Sequence, residues 1–346
     1  MEQQSRSGMS TGILEPMKSK AMNMKKCLLL LAMHVAALTI SAQNEEVMAR
    51  LSRLPNIIEM PYSQAVQGYI NQYTEEPLKS RVGVMLGLMN RYMFYFEEAL
   101  EANGMPLELR YLPVVLSRLD TEKKSGDAAG LWQISVRDAQ VNGLEVNSLV
   151  DERLDPVRAT ELAVERLRKL YNALGDWSLT LAAYKGGEST VEKAIARADD
   201  QRDFWRIYPY LPAETRNIVP EFIAANYIMA YYCDYGISPS DGTLPQETDT
   251  VQVKQRVALE QVEAVCGVQL SALKELNPQY RTNIVPEGHM LRLPVDKASV
   301  FIRNEAEVYA YEADKYLSRR TEVTVPKTQT TVKRRTPVRR RRGRRR

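Results

Sequence analysis

The sequence predicts a mainly α protein, a helical domain over residues 80–236 followed by a small βααβ module over residues 251–294. Three observations carry that expectation. Between Ser80 and Asn103 the apolar residues Val82, Met85, Leu86, Met89, Tyr92, Met93 and Phe96 recur at helical spacing, and Gly104 stops the run. Asp155 and Pro156 supply an N-cap and a first-turn proline for a second run carrying Ala163, Leu167, Leu170 and Tyr171, which Gly175 ends. No alternating run of strand type interrupts the chain before the polar, Pro- and Gly-bearing linker Ser238 to Thr250, SPSDGTLPQETDT.

The other elements follow in order. Leu109, Leu112, Leu116 and Leu119 share one helical stripe, and further helical patterns occupy Trp177–Tyr184, Val191–Arg197 and Glu214–Tyr235. Trp177 and Trp205 sit on such stripes as core residues. Beyond the linker, Val251–Val253 reads as a short strand, Leu259–Val268 and Leu270–Leu276 as two short helices, and Met290–Leu293 as a second strand. Residues 43–79 form a lead-in, residues 295–326 carry no assignment, and the tail from 327 is expected to be disordered, having too little apolar surface to bury against its self-repulsion.

With 346 residues, 44% hydrophobic and 26% charged, the chain can build one good-sized core and a small second module. Its formal charge of +4 is unevenly divided. Residues 327–346 hold eleven basic and no acidic residues, which leaves residues 43–326 with 41 acidic against 31 basic. Around Met24 the stretch MKKCLLLLAMHVAALTISA has two lysines, an apolar run from Cys27 to Ile40 and a small residue at Ala42, the layout of a secretory signal peptide. The competing reading, an uncleaved anchor, needs an apolar run of roughly 20 residues. Cys27 opens the run rather than following it, so it is not placed as a lipid acceptor, and translation is expected to begin at Met22 or Met24.

Export would leave Cys233, Cys266 and a single histidine, His289. A zinc site needs several His, Cys or carboxylate ligands, and a serine or cysteine nucleophile normally needs a histidine base, so neither class fits and no metal or cofactor is expected. Carboxylate chemistry is the natural kind for an enzyme of this composition. The two cysteines stand as a disulfide or as two thiols.

The segment Leu112–Gln133, LPVVLSRLDTEKKSGDAAGLWQ, together with the blocks PLELRYLPVV, VDERLDP, GDWSLTLAAY and LPAETRNIVPEFIAANY, resembles the catalytic domain of the soluble-type lytic murein transglycosylases, in the membrane-bound transglycosylase D branch. The likeness runs from about Met105 to Tyr235 and implies a lysozyme-like helical fold with a glycan cleft. The later βααβ order, with LKELNP in place of an LxxWN segment, resembles a LysM module; a capping subdomain without ligand is the alternative.

What the resemblance implies for chemistry is a single glutamic acid that protonates the glycosidic oxygen between MurNAc and GlcNAc. The same group then draws the proton from the muramyl C6 hydroxyl, giving a 1,6-anhydro product. One carboxyl suffices, unlike the two of ordinary glycosidases. Aligning PVVLSRLD with PVVESxxN puts Leu116 at that acid and Ser117 beside it. Leucine neither gives nor takes a proton, so no catalytic residue is expected; Leu116 instead completes the apolar stripe. Lys185 stands where the family has an asparagine, and Ile218 where it has a tyrosine. Gly130, Trp132, Gln133 and Tyr184 are retained. Ser117, Gln133, Tyr184 and Lys185 are the residues expected to meet glycan. Asp120, one turn beyond Leu116 if the helix continues, and Glu122 are the carboxylates that could substitute, whereas Glu108 belongs to a block read as structural.

The expectation is therefore an exported protein of the bacterial periplasm or cell envelope that binds peptidoglycan strands without cleaving them. The alternative is a working transglycosylase with a displaced acid such as Asp120. For the arginine tail three readings stand: attachment to anionic envelope polymers or lipids, nucleic-acid binding, against which export argues, and a solubilising end with no partner.

Overall fold

The computed structural model describes residues 44–240 and 247–317, with single residues at 29 and 325. The expected signal peptide apart from residue 29, the arginine tail and residues 241–246 of the linker lie outside the described residues. Residues 1–50 and 51–346 are separate compact units. In the first, residues 44–50 are helical and hold an Arg50–Glu46 ion pair of 2.6 Å.

The second unit opens with helix α1 (Gln64–Thr74), capped by Ser63, whose hydroxyl accepts from the Val66 N–H. Helix α2 (Leu78–Ala102) follows and buries Val82, Met85, Leu86, Met89, Tyr92 and Phe96, the stripe expected from spacing. A 3₁₀ turn (Leu107–Tyr111) leads into the short α3 (Leu112–Ser117). Three two-residue strands come next: β1 (Lys124–Ser125), β2 (Ala128–Ala129) and β3 (Ile134–Ser135), in one antiparallel sheet. The sequence did not foreshadow them, because two residues are too few for an alternating pattern to register.

Helices α4 (Val136–Val141), α5 (Pro156–Leu174), α6 (Trp177–Gly186), α7 (Glu188–Arg197), α8 (Phe204–Ile207) and α9 (Ala213–Arg216) lead to α10 (Ile218–Tyr231). Asp155 caps α5 by accepting from the Val157 and Arg158 N–H groups, and Gly175 closes it in the left-handed conformation. The single pattern expected over Glu214–Tyr235 is broken at Asn217. Pro220 has no N–H to donate and is tolerated only in a first turn, so the helix restarts at Ile218. Apolar on every side, α10 buries Ile218, Val219, Phe222, Ile223, Tyr227 and Ile228. It is the central helix, packed against α1, α3 and α6, so residues once set apart as lead-in supply one wall of its surroundings.

In the module, β4 (Thr248–Gln252) begins inside the expected linker and pairs antiparallel with β7 (Met290–Pro294), Val251 opposite Leu291. Between them run β5 (Val257–Ala258), α11 (Leu259–Cys266), α12 (Leu270–Leu276) and β6 (Ile284–Val285), with β5 and β6 paired. The expected βααβ order thus gains a second, inner pair of strands. The unassigned stretch after Leu293 is helical: α13 (Val295–Arg303), α14 (Glu305–Ala310) and α15 (Ala313–Leu317). Its Ala298, Phe301 and Val308 enter one core with Val253, Leu259, Val262, Leu273, Val285 and Leu293. Gln261 organises the junction, its Oε1 accepting from Ala258 N–H while Nε2 donates to the carbonyls of Val308, Tyr309 and Tyr311.

Leu149 and Val150 of the helical domain belong to the same core. Val150 bridges Tyr280 in antiparallel fashion, the Asp151 N–H donates to Gln279 O at 2.9 Å, and the Arg281 N–H donates to Leu149 O at 2.9 Å. The Arg91–Glu275 ion pair and the His289–Glu145 hydrogen bond, each 2.9 Å, flank this seam. The module is docked on the helical domain as well as joined to it by the linker. Cys266 is buried and Cys233 exposed, and both are free thiols, so the pair is neither a disulfide nor two buried thiols.

Candidate functional site

The motif segment ends in an unusual turn. Helix α3 stops at Ser117, and Arg118 and Leu119 both adopt left-handed backbone conformations, with φ of 57° and 60°. Such conformations are disfavoured for side chains carrying a Cβ, by about 1–2 kcal/mol per residue. Hydrogen bonds hold the turn: the Arg118 N–H donates to Val114 O and the Leu119 N–H to Pro113 O. The Arg118 guanidinium adds bonds to the Tyr73 hydroxyl at 2.8 Å, to Val114 O at 3.0 Å, and to the Glu221 carboxylate. It lies over the Tyr73 ring, 5.3 Å from its centroid. Burial works against the charge of Arg118, but Tyr73 and Glu221 outweigh it and carry its pKa upward. Burial also pushes the Tyr73 hydroxyl up, fixing it as the neutral form. This Arg118–Glu221–Tyr73 cluster was not anticipated. The signal for it was an arginine and a glutamate inside otherwise apolar blocks.

Leu116 is buried at 9% exposure on α3, but the expected four-leucine stripe is not one helix, since Leu109 lies in the 3₁₀ turn and Leu119 beyond the helix end. Ser117 corrects the expectation of a glycan contact: it is 2% exposed, and its hydroxyl donates back to Pro113 O at 3.0 Å within the helix. A serine near a helix end commonly satisfies its hydroxyl on the carbonyl four residues earlier. Asp120 is likewise not one helical turn past Leu116, because the helix has already ended; it is exposed, and its carboxylate accepts from the Glu122 N–H at 2.9 Å. Glu122 is exposed in the same loop. Glu108 is structural, its carboxylate accepting from the Ile57 and Ile58 N–H groups.

The retained GLWQ block acts as a scaffold. A Cβ on Gly130, where φ is +80°, would stand 1.9 Å from Arg153 O, so only glycine fits. Trp132 is fully buried, its indole N–H donating to Thr160 Oγ1 at 2.8 Å and its ring meeting Phe96 edge-on. Gln133 is half-buried with φ of 50°, and its amide donates to Lys123 O at 3.0 Å and Gly130 O at 2.8 Å, bracing the loop. Tyr184 is 4% exposed and donates to Trp132 O at 2.9 Å, with the Arg166 guanidinium 4.6 Å from its ring centroid. Gln133 and Tyr184 thus have donors committed to internal bonds, while the Gln133 side-chain carbonyl and the Tyr184 hydroxyl oxygen keep acceptor capacity. Lys185, in contrast, is exposed at the end of α6. Ile218 is 4% exposed and offers no hydroxyl. Among the described residues no group of His, Cys, Asp and Glu converges to hold a metal ion.

Comparison with known proteins places these features. Residues 94–206 match the transglycosylase SLT domain, and residues 247–310 match the LysM-like domain of lytic transglycosylase MltD. Membrane-bound lytic murein transglycosylase D of Escherichia coli K12 is 33% identical over 228 residues, covering 60% of this chain and 49% of that protein. The same protein from E. coli O6:H1 matches equally. A putative tributyltin chloride resistance protein of Alteromonas sp. M-1 is 29% identical over 107 residues, 30% of this chain and 52% of that one. The chain spans about half the length of the curated relatives it matches. The helical body with its GLWQ scaffold, and the docked module behind it, make this chain a relative of the lytic transglycosylases, an SLT domain followed by a LysM-like module.

Proposed function

We propose that this protein is exported to the bacterial envelope, where it binds peptidoglycan strands and does not cleave them. The observation that carries the reading is Leu116. It aligns with the position of the family's acid, is buried at 9% exposure, and can transfer no proton. Positioned proton transfer contributes about 10²–10⁴-fold to rate, so its loss is decisive for a mechanism that relies on one carboxyl. The carboxylates around the turn do not replace it. Glu221 is engaged by the Arg118 guanidinium, and Asp120 caps its own loop from an exposed position.

Binding is supported by what is kept: the loop scaffold around Gly130 and Trp132, an exposed cation at Lys185, and a LysM-like module packed against the helical domain. Incubating the purified protein with sacculi tests both halves. Co-sedimentation with sacculi and no 1,6-anhydromuropeptide is the expected result. Release of anhydro products would establish the displaced-acid alternative. Absence of co-sedimentation once residues 327–346 are deleted would establish a protein that no longer binds glycan.

A further inference from the structure

His289 of the module reaches across the seam to Glu145 of the helical domain, its Nε2 lying 2.9 Å from Oε2 of the carboxylate. On the other side of the ring, Nδ1 lies 3.2 Å from the carbonyl oxygen of Glu287. Both neighbours are acceptors. A neutral imidazole has one N–H and one lone pair, so it satisfies one of these contacts and sets a lone pair against an oxygen at the other. The imidazolium has an N–H on each nitrogen and satisfies both.

The backbone holds ring and carboxylate in place. His289 stands in the turn before β7, where its N–H donates to Pro286 O, its carbonyl accepts from the Val253 N–H, and the Gly288 N–H donates to Val253 O. Glu145 is fixed from its own domain. Its N–H donates to a Glu152 carboxylate oxygen at 2.7 Å, its carbonyl accepts from the Glu152 N–H at 2.9 Å, and its Oε1 accepts from the Asn147 amide. The cleft that His289 lines carries three further carboxylates, Glu152, Asp155 and Asp249, against the guanidiniums of Arg158 and Arg292. With Glu145 the carboxylates outnumber the cations, a charge balance that accommodates one more cation. Of the other titratable groups around the ring, the Glu287 carboxylate is exposed, Tyr95 lines the far wall, and Tyr280 meets the imidazole edge-on at 6.3 Å. Burial pushes the Tyr280 hydroxyl up, so it stays neutral.

We propose that the His289–Glu145 contact is a pH-sensitive latch, which holds the module more tightly on the helical domain when the imidazole is protonated. Docking then takes up a proton, so the latch is at full strength in mild acid and is lost as pH rises and the ring deprotonates. Histidine changes charge between about pH 5 and 8, and His289 is the only histidine among the described residues. The latch acts on docking without any bound glycan, so it can fail or hold independently of the sacculus-binding reading.

Amide exchange with solvent, followed by NMR on the full chain, reads docking at two N–H groups that cross the seam, Asp151 to Gln279 O and Arg281 to Leu149 O. Two internal amides report whether each part stays folded: Leu259, bonded to Asn283 O in the module, and Leu144, bonded to Ala139 O in the helical domain. Protection factors are compared, because intrinsic exchange itself speeds up with pH. Between pH 5.5 and 7.5 the seam amides of the parent are expected to lose about threefold in protection, the scale of a partly exposed charged pair, with the internal amides unchanged. His289→Gln and Glu145→Gln should each keep the seam amides near the parent's pH 7.5 level at both values. Seam protection that stays constant in the parent would overturn the proposal. So would a fall that persists in His289→Gln, or one shared by the internal amides.

Discussion

Asp151 of the helical domain and Arg281 of the LysM-like module form an ion pair of 2.9 Å in which the aspartate is wholly buried. Arg153 completes the arrangement, donating to both Asp151 oxygens at 2.8 Å and reaching Asp127 O and Ile134 O. One carboxylate thus ties the module to the small sheet beside the GLWQ block. Asp151→Ala leaves Arg153, itself only 5% exposed, without its counter-charge. Removing one partner of a buried pair costs about 3–5 kcal/mol. The expected outcome is a large fall in the urea midpoint for Asp151→Ala. Arg281→Ala, at a side chain 33% exposed, should cost less and act mainly on docking, which limited proteolysis of the module reads.

Placing a glutamate at Leu116 tests the proposal that this position holds the cleft back from catalysis. The side chain enters a place that is 9% exposed, so the carboxyl is expected to be held largely protonated by burial, the state a general acid needs. Ile218 and Lys185 still lack the groups the family places there. Leu116→Glu alone is expected to release little anhydro product from sacculi, and Leu116→Glu with Lys185→Asn and Ile218→Tyr at least about tenfold more, as when a catalytic set acts as a unit. Equal turnover by both would show the rest of the cleft to be intact.

How much of this was legible in the chain follows from the range of the interactions. The long helix α2 and the capped start of α5 were readable because spacing, an Asp-Pro pair and stop glycines are local signals. The helical domain with its GLWQ block and the module after it were readable because the blocks around them align. What escaped was every feature made by distant residues: the Arg118–Glu221 pair spans 103 positions, and the His289–Glu145 contact spans 144. Ser117, Gln133 and Tyr184 were assigned to a ligand by resemblance, whereas the structure uses their donors on backbone carbonyls. A motif position does not say which way a hydroxyl points. The helices after Leu293 had apolar residues at Ala298, Phe301 and Val308, but their target is a core assembled from both domains.

The two cysteines of the described body should differ sharply in reactivity. Burial pushes the Cys266 thiol up to about 11, with Lys297 only partly offsetting it, whereas Cys233 is exposed. The thiolate is the nucleophile, so at pH 8 Cys266 is a thiol shielded from reagent. Iodoacetamide labelling of the native protein, read by peptide mass spectrometry, is expected to modify Cys233 and spare Cys266. Both should label after denaturation. Rapid native labelling of Cys266 would mean that the core formed by α11 and α13 opens readily.

Asp176 offers a test in which capping and ionisation pull apart. Its carboxylate caps α6 by accepting from the Leu179 N–H at 2.7 Å, in front of the Tyr171–Trp177 stack. Burial raises its pKa above the usual 3.8; the Leu179 N–H works the other way and Asp203 adds to the rise. A carboxyl whose folded pKa is raised favours the folded state most when protonated, below 3.8, and that contribution is lost as pH climbs through the folded value. Asp176→Asn keeps an acceptor for the N–H and carries no charge. Relative to the parent protein it should therefore gain stability on going from pH 4 to pH 7. Asp176→Ala removes the cap and should cost about 1 kcal/mol in urea melts at neutral pH. If Asp176→Asn loses stability relative to the parent between those two values, the carboxylate is favoured by its surroundings, and the hydrogen bond outweighs burial at this helix end.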